Sequence, residues 1–395
     1  MRQGRKIRLI TALGAGVFAA ALAAAPATAA PTGKILPAAE PVAGSYIVVL
    51  KDLNATAAST TSTTARLVAQ YGGTTTATYT STIRGFAAKL DEASAKRLAG
   101  DPAVAYVQQD GVARIAGIQQ NPTWGLDRID QNNLPFDRSY TYPNTGSGAT
   151  AYILDTGVDK RHPDLEGRVS DGRDFIDNDS DASDCQGHGT HVAGTVGSKT
   201  YGVAKQVKLV SVRVLNCQGS GQYSQIISGI DWVARNATKP AVANMSLGAD
   251  TATDNAVRRA IQSGVTFAVA SGNSNTDACS STPARVPEAI TVNATDRQDS
   301  RSSFSNYGRC TDIFAPGTDI TSTLNGGGSG GMSGTSMATP HVAGAVALYL
   351  TANPSATPAQ VRDALVNNGT QNAVRNPGSG STNRLLHVGF ISGAY

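Results

Sequence analysis

Ser336 lies in the segment Gly334-Thr335-Ser336-Met337-Ala338-Thr339-Pro340-His341, which opens an Ala- and Gly-rich helix-like run over residues 342–350. A serine at such a helix start is surrounded by backbone N–H groups that have no intrahelical partner. Those donors and the helix dipole favour negative charge. A serine nucleophile needs that setting when the carbonyl oxygen it attacks becomes an oxyanion. Pro340 is expected within the first turn, where a missing N–H costs nothing. The hydroxyl also needs a base to take its proton, and the base needs a carboxylate to fix its tautomer and stabilise its charged form. Two segments offer these groups. Asp155-Thr156-Gly157 follows the apolar run Ala151-Tyr152-Ile153-Leu154, which reads as a buried strand. Asp155 is therefore expected at a strand's C-terminal end, where open α/β sheets form their ligand crevice. His188 lies in Gly187-His188-Gly189-Thr190-His191-Val192-Ala193-Gly194-Thr195, a Gly-rich turn entering a second helix.

Rival chemistries meet obstacles in the same residues. Asp-Thr-Gly also marks aspartic proteases, but those need a second catalytic aspartate, and the motif occurs once. A zinc protease of the His-Glu-x-x-His type needs Glu after the first histidine, and here that position is Gly189. Position 338 is Ala, so Ser336 is not in a Gly-x-Ser-x-Gly elbow. His162, His191, His341 and His387 read as packing or hydrogen-bonding residues. The net charge of +4 is small for 395 residues, and no basic cluster interleaves with aromatics. Nucleic-acid binding therefore finds no support.

The chain order Asp155, His188, Ser336 is that of the subtilisins. Further segments are Trp124-Gly125-Leu126-Asp127-Arg128-Ile129, Ala270-Ser271-Gly272-Asn273, Ser302-Ser303-Phe304-Ser305-Asn306-Tyr307-Gly308 and Phe314-Ala315-Pro316-Gly317. On these the chain resembles subtilisin-like serine proteases, specifically the proteinase K and aqualysin branch, over nearly all of its length after the N-terminal apolar run. The resemblance implies a secreted, self-processing serine endopeptidase with Asp155, His188 and Ser336 as its triad. It implies that the side-chain amide of Asn273 joins the Ser336 backbone N–H at the oxyanion. Gly219, Ser220, Gly221 and Tyr223, with Ser246, Leu247 and Gly248, would flank an extended peptide that adds as a strand. Leu247-Gly248 and Ala270-Ser271-Gly272 would wall the primary specificity pocket. No charge sits in those segments, so apolar or aromatic residues are expected before the scissile bond, with broad selectivity. The expected partners are protein and peptide substrates and the chain's own propeptide. Neither nucleic acid nor, after signal removal, a membrane is expected, and the mature protein is expected to be a monomer.

The resemblance also implies structural calcium. The carbonyls of Pro287 and Ala289 and the Asp312 carboxylate match one site; Asp127, Asp130, Gln131, Asp137 and Ser139 match a second. Calcium takes several oxygen ligands, and these residues supply carboxylate, amide and backbone oxygens. Asp177, Asp179, Asp181 and Asp184 form an acidic loop that reads as a solvated surface, with a third ion site as the alternative. The four cysteines are Cys185, Cys217, Cys279 and Cys310. An even count in an exported chain favours disulfides, and the residues alone leave three pairings open. No Cys-x-x-Cys pair points to zinc. The resemblance implies Cys185–Cys217 and Cys279–Cys310.

The elements that must position these groups can be sketched from pattern. The basic start Met1-Arg2-Gln3-Gly4-Arg5-Lys6, the apolar run over residues 7–25 and the small residues Ala27-Thr28-Ala29 read as a signal peptide, residues 1–29, cut after Ala29. Residues 30–116 are expected to hold a small α+β propeptide domain of ferredoxin-like order, folded over about residues 44–110. Its strands are expected at residues 46–50, 86–90 and 103–107. Its helices are expected at residues 65–71, after a Ser/Thr-rich stretch of poor helix propensity, and at 91–98. It resembles the inhibitor-like propeptide of subtilisin zymogens, and the mature enzyme is expected to begin near Gly117, after Ala116. Residues 117–395 alternate strands (209–215, 242–247, 265–270) with helices (223–235, 254–263). That alternation implies an α/β domain: a subtilisin-like parallel sheet flanked by helices. The run Gly326-Gly327-Gly328-Ser329-Gly330-Gly331 is expected to shape the cleft's primed side.

Overall fold

The structure, a computed structural model, describes residues 33–38, 41–52, 54–111, 117–165 and 167–391. The expected signal peptide and the junction at Ala116 lie outside the described residues. The chain divides into two compact units, one carrying Ala43–Asp110 and the other running from Gly111 onward.

The first unit contains β1 (Ile35–Leu36), β2 (Pro41–Leu50), α1 (Ala57–Tyr71), β3 (Thr74–Tyr79), β4 (Gly85–Lys89), α2 (Glu92–Leu98) and β5 (Val104–Gly111). Its sheet runs β1-β5-β2-β4-β3. The four main strands with their two helices have the order of a ferredoxin-like fold, as expected from sequence. Val48, Leu67, Phe86, Leu98 and Val107 form its core. Helix α1 departs from expectation, because the Ser/Thr-rich stretch is helical from Ala57. Thr56 caps it by accepting from Ser59 N at 3.1 Å. The hydroxyls of Thr60 and Thr61 bond back to the carbonyls of Thr56 and Ala57, and Thr60, Thr64 and Leu67 form one buried face. Capping and a buried face outweigh the low propensity of the stretch.

The second unit opens with β6 (Gly117–Gln120), α3 (Trp124–Ile129) and β7 (Ser139–Tyr142). The main sheet is then built by β8 (Thr150–Asp155), β9 (Val169–Asp174), β10 (Lys208–Arg213), β11 (Ala241–Met245), β12 (Thr266–Ala270), β13 (Ile290–Thr295) and β14 (Ile313–Pro316). The covering helices are α4 (His188–Gly197), α5 (Tyr223–Asn236) and α6 (Thr251–Gln262). Downstream come the hairpin β15 (Ile320–Thr323) and β16 (Ser329–Met332), then α7 (Thr335–Ala352), α8 (Pro358–Asn368), β17 (Thr370–Gln371) and β18 (Arg384–Leu385). The nine strands run β17-β18-β14-β13-β12-β11-β8-β10-β9, parallel except for the β17–β18 pair.

Strand β8 is buried along its whole length because both faces are covered. Ala151 and Ile153 pack with Val192 and Val196 of α4 and Val342 and Val346 of α7. Tyr152 and Leu154 pack on the opposite side with Ile226 and Ile230 of α5 and Val257 and Ile261 of α6. Period-two alternation thus feeds two cores from one strand. The disulfides Cys185–Cys217 and Cys279–Cys310 form as the resemblance implied.

Candidate active site

The functional side chains gather at the C-terminal ends of three neighbouring parallel strands. Asp155 ends β8, Ser246 follows β11, and Asn273 stands three residues past β12. Helix α4 brings His188 as its first residue, and α7 brings Ser336 as its second.

Asp155 is fully buried, and its Oδ1 accepts from His188 Nδ1 at 2.7 Å and from Thr156 N at 2.8 Å. The His188 Nδ1 proton is thereby committed to the carboxylate, which leaves Nε2 with its lone pair. Burial alone would lower the His188 pKa. The Asp155 carboxylate, through charge and hydrogen bond, outweighs it and raises the pKa above the ordinary value, with Asp184 adding to the effect. Close approach of α4 to the Asp155 turn requires glycine after the histidine. A Cβ on Gly189 would lie 2.1 Å from the Gly157 carbonyl oxygen and 3.1 Å from Asp155 Cβ.

Asp184 does not belong to a solvated acidic surface, as sequence reading expected. Its Oδ1 accepts from Thr156 Oγ1 and from the N–H groups of Gln186 and Gly187, each at 2.9 Å. Its Oδ2 accepts from Thr190 N at 3.0 Å and Thr190 Oγ1 at 2.6 Å. Asp184 therefore caps α4 from outside and ties the Asp155 turn to the histidine helix. The rest of the acidic loop is exposed, as expected, with Asp177 paired to Arg213 and Asp181 to Lys160.

Ser336 Oγ donates to the Ser246 carbonyl at 3.1 Å. Its backbone N–H is one of the free donors at the start of α7. Asn273 Oδ1 accepts from Thr335 N at 2.8 Å and Thr335 Oγ1 at 2.9 Å, which turns its amide NH₂ the other way. A carbon placed on Gly334 would stand 3.6 Å from both Asn273 Nδ2 and Ser336 N, so both donors border the same space. The Asn273 turn is pinned by Asn306, whose Nδ2 donates to Ser271 O at 2.8 Å and whose Oδ1 accepts from Ser274 N at 3.0 Å. Pro340 sits in the second turn of α7, not the first, because the helix already begins at Thr335.

An open cleft of about 460 Å³ beside His188 is lined by Leu215, Gln218, Gly219, Ser220, Gly221, Ser246, Leu247 and Gly248, among others. Tyr223, Ala270 and Gly272, also expected at the substrate, do not line it. Tyr223 is half exposed at the start of α5, and Ala270 is buried at the end of β12. The other histidines behave as read from sequence. His191 Nε2 bonds the carbonyls of Ile320 and Gly330, His341 Nδ1 bonds that of Met337, and burial pushes both down to about 4.

Among the described residues, no three His, Cys, Asp or Glu side chains are arranged to hold a metal by themselves. An ion would have to draw on amide, hydroxyl or carbonyl oxygens as well. The Asp127 cluster suits one, since Asp127 Oδ1 and Asp130 Oδ1 are buried without a hydrogen-bond partner. Burial foremost, then the neighbouring aspartates, raises both carboxyls, Asp130 to about 7. Asp137 and Ser139 are bonded to each other, and Gln131 Oε1 accepts from Asp137 N at 3.2 Å. At Asp312, burial pushes the carboxyl up to about 6, and one oxygen accepts from Thr291 N at 2.8 Å.

Thr156, Asp184, Thr335 and Asn306 were not singled out from sequence as functional. Their signal was present only as polar types next to motif residues, and nothing in the spacing revealed that they are buried.

Comparison with known proteins places this arrangement. The subtilase family profile matches residues 146–386, and the peptidase inhibitor I9 profile matches residues 45–116. The chain is 54% identical over 316 residues to the extracellular serine proteinase of Thermus sp. (strain Rt41A), covering 79% of this chain and 77% of that protein. It is 48% identical over 383 residues to alkaline serine exoprotease A of Vibrio alginolyticus, covering 93% of this chain and 72% of that one. The crystal structure of a cold-adapted subtilisin-like serine proteinase superposes with a TM-score of 0.67 at 57% identity, covering 68% of this chain and 99% of the other.

Proposed function

Because the chain belongs to the subtilase family of serine endopeptidases and carries an I9 inhibitor propeptide, we propose that Asp155, His188 and Ser336 hydrolyse peptide bonds in proteins. The observation that carries this is the 2.7 Å bond from His188 to the buried Asp155, combined with two free N–H donors bordering one space above Ser336.

The steps follow from the geometry. An extended peptide adds as a strand between residues 219–221 and 246–248. Its own N–H takes the Ser246 carbonyl and so releases the Ser336 hydroxyl, which turns to His188 Nε2. Ser336 Oγ attacks the scissile carbonyl carbon as His188 Nε2 takes the proton, and Asp155 stabilises the imidazolium. Asn273 Nδ2 and Ser336 N–H hold the oxyanion. His188 then gives the proton to the leaving amine, and water attacks the acyl-enzyme by the same route in reverse. The uncharged residues Leu247 and Gly248, which line the cleft, support a preference for apolar or aromatic residues before the scissile bond.

The reading extends to biogenesis. The chain is a secreted zymogen: residues 1–29 are a signal peptide, residues 30–116 a propeptide that folds and inhibits the enzyme, and residues 117–395 the peptidase. The extracellular serine proteinase of Thermus supports secretion. The mature enzyme acts as a monomer, without nucleic acid or membrane partners. Calcium at Asp127 and Asp130 orders the start of the mature domain and takes no part in the chemistry. N-terminal sequencing of the secreted protein, with its cleavage profile on a peptide library, tests this reading. A start near Gly117 and cuts after apolar residues are expected; a chain retaining residues 30–116, or cuts governed by charged residues, would overturn it.

A further inference from the structure

Helix α8 reaches the segment between β12 and β13 through one side chain. Arg362 donates from Nη1 to the Pro287 carbonyl. Its Nε stands 4.0 Å from Asp312 Oδ1 and 3.5 Å from Asp363 Oδ1. The other Asp312 oxygen is taken by Thr291 N–H. Pro287 O and Asp312 are two of the three groups that the sequence resemblance offers to calcium, and a guanidinium spans them.

That arrangement does not suit an ion. Calcium takes about six to eight oxygens at roughly 2.3–2.6 Å. Here it would meet a carbonyl that already accepts from Arg362 and a carboxylate with one oxygen committed to the backbone. It would also meet the positive charge of the Arg362 guanidinium. The Asp127 cluster differs, since Asp127 Oδ1 and Asp130 Oδ1 are buried with no hydrogen-bond partner at all. The two calcium positions implied by sequence are thus physically unlike: one has unpaired oxygens, and the other already holds a cation supplied by the chain.

We infer that Arg362 is the resident cation of the Pro287–Asp312 position, and that this position takes calcium only when Arg362 is removed. The guanidinium then does intramolecularly what an ion would do. It ties α8 to the segment that follows Cys279 and leads into β13.

Counting calcium by equilibrium dialysis tests this, on metal-stripped full chain carrying Ser336→Ala so that no variant digests itself. Because the count needs no activity, its failure is distinguishable from failure of the protease reading. The Ser336→Ala parent and its Asp312→Asn derivative should bind equal numbers of ions. Arg362→Gln should bind one more, and that gain should vanish in Arg362→Gln/Asp312→Asn. Arg362→Lys keeps the positive charge and should show no gain. If Arg362→Gln folds only with calcium present, the ion it retains after dialysis gives the same readout. Loss of one ion from the parent on Asp312→Asn would overturn the inference, because calcium would then displace the guanidinium. So would the absence of any gain in Arg362→Gln.

Discussion

Ser246 and Ser336 hold each other twice: Ser246 Oγ donates to the Ser336 carbonyl at 2.9 Å, and Ser336 Oγ donates to the Ser246 carbonyl at 3.1 Å. The first bond exists because of Pro340. The helical partner of the Ser336 carbonyl would be the N–H of residue 340, and proline has none. Ser246 Oγ takes the vacated acceptor while itself accepting from Asn244 Nδ2 at 2.9 Å. The Ser336 peptide is therefore held from the end of β11.

Ser246→Ala should lower kcat roughly fivefold, the worth of one hydrogen bond of about 1 kcal/mol, and leave KM nearly unchanged. Adding Pro340→Ala supplies an N–H to the stranded carbonyl and should recover part of the loss. Steady-state kinetics on a peptide amide reads both. An unaltered kcat in Ser246→Ala would remove this positioning role.

Asn273→Ala should fold and bind substrate but lose roughly 10²–10³ in kcat. That magnitude is the one measured for the corresponding donor in a subtilisin and is carried over from there. The loss should fall on kcat, because the amide meets charge only as the oxyanion forms. A matching rise in KM with kcat intact would instead make Asn273 a ground-state contact.

Asp184→Asn should shift the pH profile. His188 acts as a base only when neutral, so activity rises with pH through its pKa. Burial would lower that pKa, but Asp155 raises it above 6.5, and Asp184 contributes in the same direction. Removing the Asp184 charge should therefore move the acidic limb of kcat/KM to lower pH. The Asn oxygen still accepts from the N–H groups of Gln186 and Gly187, while the bond from the Thr190 N–H to the second oxygen is lost, so the turn before the histidine helix keeps part of its anchor. A limb that stays in place would mean that Asp184 acts on His188 through structure alone.

The Asp155–His188 pairing and the parallel sheet were legible because each rests on local types and pattern, and the disulfide pairing because the family resemblance implied it. Asp155 ends an apolar run, and His188 and Ser336 each open a helix. What escaped was set by tertiary contact. Asp184 looks like any residue of an acidic loop until Thr156 and Thr190 close over it. The Ser/Thr-rich stretch over residues 57–64 lacks propensity, but the Thr56 cap and the burial of Thr60 and Thr64 make it helical. Pro340 lay one turn deeper than expected, because the helix start depends on Thr335 being held by Asn273. Arg362 is 50 residues from Asp312 in sequence, and no local pattern links them.

Calcium should stabilise the mature enzyme through Asp127 and Asp130. A ligand at 100 times its Kd contributes about 2.7 kcal/mol, which for a domain of this size is roughly 5 °C in Tm. Asp130→Asn should abolish most of that shift while initial turnover in saturating calcium stays near the parent value. Identical melting with and without calcium, in metal-stripped protein, would contradict the site.

The most direct test of self-processing serine catalysis is Ser336→Ala in the full chain, purified without added protease and read by intact mass and N-terminal sequencing. The parent should yield a mature chain beginning at or near Gly117. Ser336→Ala should remain an uncut proprotein with no activity on peptide substrates. A mature-length chain from the Ser336→Ala protein would contradict the assignment of Ser336 as the nucleophile that processes its own chain.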